Sequence, residues 1–256
     1  MSGADPLLFS AFAEHWLLTA FIAFARLGSA TLLLPGFGEQ AIPPRVKIAF
    51  GLVLTLALMP ILPIPEPPAA LPLFVLLIGL EVMIGIFIGL GARLLLAALH
   101  ILGAQIGFAA GLSNAFMPNQ SNAESGSAIA ALLMAGAVAL LFATNLHHVI
   151  LSGLLRSYVI LPPGRIIPGD MADQVARLGA GAFYIAATMA APFFLLSLLV
   201  NLGLGVANRV MPAMQVFFVA APGLIVLGLG VLALTIPALL DLQIEAIADW
   251  YRTFVR

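Results

Sequence analysis

Apolar runs dominate the pattern of hydrophobic and polar positions along the chain. They cover residues 15–35, 48–63, 72–92, 94–113, 127–155, 178–206 and 213–240. A helix needs about 20 apolar residues to cross the hydrocarbon core of a bilayer, and most of these runs are long enough. The second run is shorter and leads into the proline-rich stretch 60–72, which stops a helix and predicts an extended turn. We therefore predict fewer membrane spans than runs, with kinked or re-entrant hydrophobic helices among them.

Composition places this sequence in or against a membrane. Hydrophobic residues make up 62% and charged residues only 8% of the 256 residues, whereas charged residues make up roughly 25% of soluble globular proteins. No polar linker divides the runs, so we predict an all-α, polytopic helical membrane protein with a single domain over residues 1–256. A net charge of −1 and a single lysine, Lys47, argue against nucleic-acid binding. The sequence contains no cysteine, so it offers no disulfide and no thiolate ligand.

Charges between the runs predict an orientation. If the seven runs alternate sides, Arg26 lies within a run, Arg209 lies alone on one side, and all other basic residues lie on the opposite side. These are Arg45, Lys47, Arg93, Arg156, Arg165, Arg177, Arg252 and Arg256. The positive-inside rule makes their side cytoplasmic and places the N-terminus and the loop around Asn119 outside. The C-terminal tail, residues 241–256, is then cytoplasmic; its pattern suits an amphipathic helix at an interface or on a partner, and equally a solvated end cap.

Small residues predict close helix contacts. Gly85 and Gly89 stand four apart, as do Gly103, Gly107 and Gly111. Each set gives one helix face that another backbone can approach closely. The pattern leaves open whether that other backbone belongs to this chain or to a second subunit.

Two charges inside apolar runs need partners. Arg26 lies midway through the first run and Glu81 near the middle of the third. A lone ion at the centre of a bilayer costs roughly 3 kcal/mol on insertion scales. We favour a structural ion pair, formed with each other or with other groups, over an ion pathway, because no further acid or histidine is spaced to continue a relay.

Motifs of common enzymes are absent from the sequence. It contains no GxxxxGK[ST] phosphate loop, no HExxH, no GxSxG and no GxGxxG that opens a βαβ unit. His147 and His148 are neighbours, so on a helix they point about 100° apart and do not readily share a metal ion. We predict no enzyme, no cofactor and no metal site.

One polar segment stands out against the apolar sequence, GFAAGLSNAFMPNQSNAES at residues 107–125. Irregular backbone finds no hydrogen-bond partner in hydrocarbon, so this segment must lie in water or be shielded by protein. Both a plain surface turn and a working part of the protein fit its composition.

A series of motifs, in order along the chain, resembles the FliR family of flagellar export-gate proteins. They are Arg26 followed by LLLPGFGEQAIPPRVKIAF at 32–50, the spacing of Glu81, Gly85 and Gly89, then GAQIGFAAG, LLFATNLHH, LPPG at 161–164 and NRVMPAMQVFFVAAP at 208–222. The last motif is the most specific, and its residues include Arg209, Pro212, Gln215, Phe217 and Pro222. The resemblance covers nearly the whole chain and is closer to the flagellar branch than to the related gate proteins of injectisomes.

The resemblance implies a function in protein export. Members of the family are subunits of the FliP–FliQ–FliR core complex, the export gate through which unfolded flagellar proteins cross the inner membrane at the basal body. It implies FliP, FliQ and FlhB homologues as partners, FlhA nearby, unfolded substrates in transit, contact with membrane lipid, and no cofactor. It also implies helices packed in a multi-subunit assembly, much of which is raised out of the lipid. An injectisome gate subunit remains possible within this class, and a small secondary transporter or channel is the alternative.

The resemblance also assigns a role to the polar segment. The corresponding segment of the family forms a plug in the pore, and Phe108–Ser125 matches it by order. Candidate plug residues are Phe108, Leu112, Asn114, Phe116, Met117, Pro118, Asn119 and Gln120. Methionine and phenylalanine in a loop of small residues can seal a pore and reopen it with little strain. Candidate structural or partner contacts are Arg26, Glu81, Gly85, Gly89, Gly103, Gly107, Gly111, Arg209, Pro212, Gln215, Phe217 and Pro222.

Overall fold

Every regular element in the described part of the chain is a helix. The computed structural model describes residues 6–39, 42–109, 128–210 and 216–254. The helices are α1 (Pro6–Thr31), α2 (Pro44–Leu58), α3 (Leu71–Ala109), α4 (Ala128–Ala143), α5 (Leu146–Ile160), α6 (Pro168–Val210) and α7 (Val216–Arg252), with a short 3₁₀ turn, Met59–Ile61, after α2. No helix forms between Ile61 and Leu71, as the prolines there predict. The prediction of an all-α fold is confirmed.

Long apolar helices confirm a polytopic membrane protein. Within the described residues, four helical segments are long and apolar enough to cross a membrane. They are Pro44–Ile61, Leu71–Gly107, Pro168–Val210 and Pro222–Arg252. The broken pair α4 and α5 counts as a fifth span if its two helices cross together. Within the described residues there are thus four or five candidate spans, fewer than the seven apolar runs, as expected.

The predicted division between residues 72–92 and 94–113 is wrong, because α3 continues through Arg93. Arginine has a high helix propensity, and its long side chain carries the charge away from the helix axis. Its Nη1 lies 3.8 Å from Oε1 of Glu39. Arg93 is therefore not a loop charge, and the alternation of seven spans from which the orientation was derived does not hold.

The apolar run at 127–155 contains a helix break that its hydropathy does not reveal. Asn145 has a φ of 57°, in the left-handed region. Asparagine reaches this conformation more easily than most residues, but an α-helix does not continue through it. As a result, α4 ends at Ala143 and α5 begins at Leu146.

The chain forms two compact units. Unit 1 comprises Met1–Arg93, Asn145–Arg177 and Ile247–Arg256, and unit 2 comprises Leu94–Thr144 and Leu178–Ala246. Helices α3, α6 and α7 each contribute residues to both units. No single point along the chain separates the units, and one domain over residues 1–256 stays a prediction.

In unit 1, glycines on α3 allow α1 to pack closely. A Cβ atom at Gly85 would collide with the side chain of Ser29 and with the carbonyl oxygen of Arg26. A Cβ atom at Gly89 would lie only 2.7 Å from Cβ of Leu33. Both glycines therefore serve a contact within this chain, which is one of the two possibilities that the sequence left open.

In unit 2, the second part of α3 makes a similar contact with α4. A Cβ atom at Gly103 would collide with the backbone of Ala130. Gly107 is also buried. The amide of Gln243 on α7 is fully buried and donates from Nε2 to the carbonyl oxygen of Leu95 at 2.8 Å. The core of this unit includes Leu133, Ala137, Leu141, Ala186, Ala190 and Phe193.

The C-terminal stretch predicted as an amphipathic tail is the end of α7, and its apolar side is used inside the chain. Trp250 fills a notch at Gly91, where a Cβ atom would collide with the indole ring. The indole Nε1 donates to the carbonyl oxygen of Ile88 at 3.1 Å. Ring carbon Cδ1 of Tyr251 would lie 3.1 Å from a Cβ atom at Gly153. Most apolar residues of this stretch are therefore not free to bind a partner or an interface, although Leu242 is exposed.

Candidate functional site

The two charges within apolar runs meet in unit 1. Arg26 on α1 and Glu81 on α3 both have fully buried side chains. Nε of Arg26 donates to Oε2 of Glu81 at 2.7 Å, and Nη2 donates to Oε1 at 3.1 Å. Such a two-point contact matches the planar geometries of guanidinium and carboxylate. The sequence required a partner for each ion, and the structure makes them partners of each other.

Helix α5 and the turn that follows it complete the site. Nη1 of Arg26 donates to Oγ of Ser157 at 3.4 Å. The guanidinium carbon lies 4.1 Å from the centre of the Tyr158 ring, within the range of a cation–π contact. The backbone N–H of Gly164 donates to Oε1 of Glu81 at 3.2 Å. We refer to these five residues as the Arg26 cluster.

Local structure explains how Gly164 reaches the carboxylate. The residue has a φ of 77°, in the left-handed region that glycine adopts without strain. It ends the LPPG motif, in which Pro162 accepts a hydrogen bond from the N–H of Arg165 at 3.1 Å. The motif thus forms a tight turn that points one N–H group at Glu81. Arg26, Glu81 and the LPPG turn belong to three motifs that are far apart in the sequence. They meet at the buried carboxylate of Glu81.

The chemistry of the Arg26 cluster favours a fixed contact over transport. Arginine keeps its proton in proteins, and the carboxylate of Glu81 already accepts three hydrogen bonds. Both charges are neutralised and buried, so moving either ion away from the other would be costly. Among the described residues, no group of three or more His, Cys, Asp or Glu side chains is arranged to hold a metal ion.

Ser157 and Tyr158 were not predicted from the sequence pattern. The hydroxyl group of each lies near the end of an apolar run and finds a buried acceptor: Ser157 donates to the carbonyl oxygen of Leu154 at 2.6 Å, and Tyr158 to that of Ala23 at 3.3 Å. The rule that singled out Arg26 applies to them in weaker form, because a buried hydroxyl also needs a partner. The Gly91 notch was also missed, since Gly91 does not share the spacing of Gly85 and Gly89.

The candidate residues not yet described belong to unit 2 or lie outside the described residues. Arg209 is exposed in the last turn of α6, and Pro222 is exposed within α7. Phe108 and Phe217 belong to α3 and α7, but their side chains lie outside the described part. The remaining candidates also lie outside it: Gly111, Leu112, Asn114, Phe116, Met117, Pro118, Asn119, Gln120, Pro212 and Gln215.

Two buried tyrosines give a paired prediction. The hydroxyl group of Tyr251 has no hydrogen-bond partner among the described residues, whereas that of Tyr158 has one. An unpaired buried hydroxyl costs about 1–3 kcal/mol. Tyr251→Phe should therefore leave the thermal unfolding midpoint in detergent unchanged or raise it, while Tyr158→Phe should lower it. A larger loss for Tyr251→Phe than for Tyr158→Phe would contradict the assignment.

Fold and site together define a helical membrane protein in which a buried ion pair joins two helices and a turn. The family of bacterial export proteins, family 1, matches residues 17–249, which is nearly the whole chain. The chain belongs to this family. The resemblance to FliR proteins that the sequence predicted is confirmed.

Curated relatives include flagellar biosynthetic proteins and a translocation protein. The chain is 37% identical over 223 residues to the flagellar biosynthetic protein FliR of Caulobacter vibrioides. The aligned segment covers 85% of this chain and 88% of that protein. It is 31% identical to FliR of Pectobacterium carotovorum, over 87% of this chain and 86% of the relative. It is 28% identical to the Yop proteins translocation protein T of Yersinia pestis, over 80% of this chain and 81% of the relative.

Proposed function

We propose that this chain is a subunit of the flagellar type III protein export gate and forms part of the pore through which unfolded flagellar proteins cross the inner membrane. The observation that carries the proposal is the 37% identity with a FliR protein over 85% of the chain. A gate subunit of an injectisome is the second candidate. It is supported by the 28% identity with a Yop translocation protein over 80% of the chain.

Long helices with exposed apolar sides support membership of a larger assembly. Helices α3, α6 and α7 contain 39, 43 and 37 residues. At a rise of 1.5 Å per residue each is about 55–65 Å long, roughly twice the thickness of the hydrocarbon core. On α6 exposed large apolar side chains recur from Phe183 to Val210, over about 40 Å of helix. Neighbouring protein subunits, together with lipid, would cover such a surface.

The proposed partners follow from the family. They are homologues of FliP, FliQ and FlhB, with FlhA nearby, and the substrates are unfolded flagellar proteins in transit. The C-terminus would face the cytoplasm, and the assembly would lie in the inner membrane at the flagellar basal body. The chain would act as a structural component of the pore and not as an enzyme. Its sequence has no phosphate-binding GxxxxGK[ST] loop, so energy would come from other components.

Co-purification tests this function. A C-terminally tagged chain would be extracted from its native cells in mild detergent, and the proteins that accompany it would be identified by mass spectrometry. We expect homologues of FliP and FliQ in one large complex. Injectisome gate proteins in their place would favour the second candidate. A solitary, monodisperse protein that moves a solute in liposomes would contradict both and favour a transporter.

We further propose that residues 108–125 form the plug of this pore. Deleting Asn114–Asn122 should make cells leaky to small solutes without preventing assembly, because the seal is lost while the helices remain. The leak would be measured as loss of membrane potential in cells that express the variant, and assembly as recovery of the co-purified complex.

A pair of matched substitutions separates a seal from a plain turn. Phe116→Ser combined with Met117→Ser should leak, whereas Asn119→Ser combined with Asn122→Ser should not. If the deletion and both double variants hold the membrane potential of the unmodified protein, the plug proposal fails.

A further inference from the structure

A cleft of about 450 Å³ lies in unit 1 where α5 ends, α6 begins and α7 ends. Its volume falls within the range of about 300–1,000 Å³ that is typical of ligand sites. Phe87 and Phe254 line it and are only 6% and 5% exposed. Leu161 and Met171 contribute further apolar surface. The lining is thus mainly apolar and suits a hydrocarbon group.

Two opposite charges line the same cleft without a partner. Arg165 and Asp170 both belong to the lining and are exposed. Neither side chain forms a hydrogen bond or an ion pair with the residues that the structure describes. By contrast, Asp173 and Arg177 on the next turns of α6 pair with each other at 2.8 Å. The cleft therefore offers one free cation and one free anion, within this part of the chain, to a ligand that carries both charges.

The cleft lies at the start of α6, where the sequence changes from polar to apolar. The first turns of α6 carry Asp170, Asp173 and Arg177, and an apolar run begins after them at Leu178. In a membrane protein this change marks the interface, where the charged headgroups of lipids lie. Lipids that carry acyl chains and a headgroup with both a positive and a negative charge are abundant at this interface.

We propose that the cleft binds a phospholipid with a phosphoethanolamine headgroup. An acyl chain would pack against the apolar lining, the phosphate would accept hydrogen bonds from the guanidinium of Arg165, and the ammonium would pair with Asp170. Guanidinium binds phosphate oxygens at two points, which favours this orientation over the reverse. The inference rests only on insertion in a membrane and does not depend on the role in export.

Lipid binding to the purified protein, together with whatever partners accompany it, tests the proposal. The sample would be depleted of lipid in detergent and titrated with palmitoyl-oleoyl phosphatidylethanolamine or with the matching phosphatidylglycerol, and binding would be read by native mass spectrometry. The unmodified protein should bind phosphatidylethanolamine more tightly. Arg165→Gln should weaken binding of both lipids by roughly tenfold, since it removes charged hydrogen bonds to the phosphate that they share.

Asp170→Asn gives the more specific result. It should weaken binding of phosphatidylethanolamine and strengthen binding of phosphatidylglycerol, because it removes an anion that attracts the ammonium and repels an anionic lipid. Asp173→Asn is the control, since it also removes one negative charge from α6, at a residue that does not line the cleft. Equal binding of both lipids by the unmodified protein, or a control that behaves like Asp170→Asn, would overturn the proposal. The first would show unselective annular lipid, and the second a general charge effect.

Discussion

Arg26→Ala should lower the free energy of unfolding by about 3–5 kcal/mol, a large share of the roughly 5–15 kcal/mol that is typical of folded proteins. The substitution leaves Glu81 fully buried without its cation, and within the described residues the only other donor to the carboxylate is the N–H of Gly164. Glu81→Ala should cost a similar amount, because it leaves the guanidinium unpaired. The measurement is the fraction of tagged protein that stays soluble when a detergent extract of membranes is heated.

Two controls distinguish the pair from a general effect of charge. Arg177→Ala breaks an ion pair of similar length, 2.8 Å, whose side chains are 80% and 69% exposed, and should have no measurable effect. Arg26→Met combined with Glu81→Leu removes both ions and should be less harmful than either alanine substitution. If the double variant is as unstable as the sum of the single ones, the pair is not the origin of the loss.

The sequence singled out both members of this pair but left open whether they pair with each other. An ion in an apolar run requires a partner wherever the run lies, so Arg26 and Glu81 could be singled out from local sequence alone. Their pairing depends on the packing of two helices, and the two residues lie 55 positions apart in the chain. The contributions of Ser157 and Gly164 depend on a third segment, still further along. A local sequence pattern shows which groups need a partner. Which groups meet depends on how the helices pack.

Helix ends were predicted less well than helices, for two physical reasons. A charged residue such as Arg93 looks like a loop residue in a hydropathy pattern, although arginine is a good helix former and the charge can reach a partner. Asn145 breaks a helix through one backbone angle, which hydropathy does not record. Both errors arise because hydropathy measures burial in lipid and not the conformation of the backbone.

Amphipathic and small-residue patterns identified contact surfaces without identifying what covers them. The apolar side of residues 241–252 could pack on lipid, on a partner or on the chain itself, and Trp250 and Tyr251 pack on the chain. Likewise the stripe of Gly85 and Gly89 receives α1 of the same chain. The pattern is the same in each case because the physical requirement is the same, a flat or apolar face that must be covered.

Gly85→Ala should be nearly as harmful as loss of the ion pair, with a cost of about 3 kcal/mol in the free energy of unfolding. The added Cβ would collide with the carbonyl oxygen of Arg26, and backbone atoms cannot rotate away as a flexible side chain can. Helices α1 and α3 must therefore separate. Glu81 lies one helical turn before Gly85, so this separation would lengthen the contact between Arg26 and the carboxylate.

Gly79→Ala on the same helix is the matched control. Nothing lies within 4 Å of a Cβ atom at Gly79, so this substitution should be neutral or stabilise α3 by up to about 1 kcal/mol through helix propensity. Heating of detergent extracts again gives the comparison. The collision and the ion pair act on the same helix contact, so Gly85→Ala should cost less in a chain that already carries Arg26→Ala. Equal costs in both backgrounds would show that the two effects are independent, and equal stability of the Gly79 and Gly85 variants would contradict the close approach of α1 to α3.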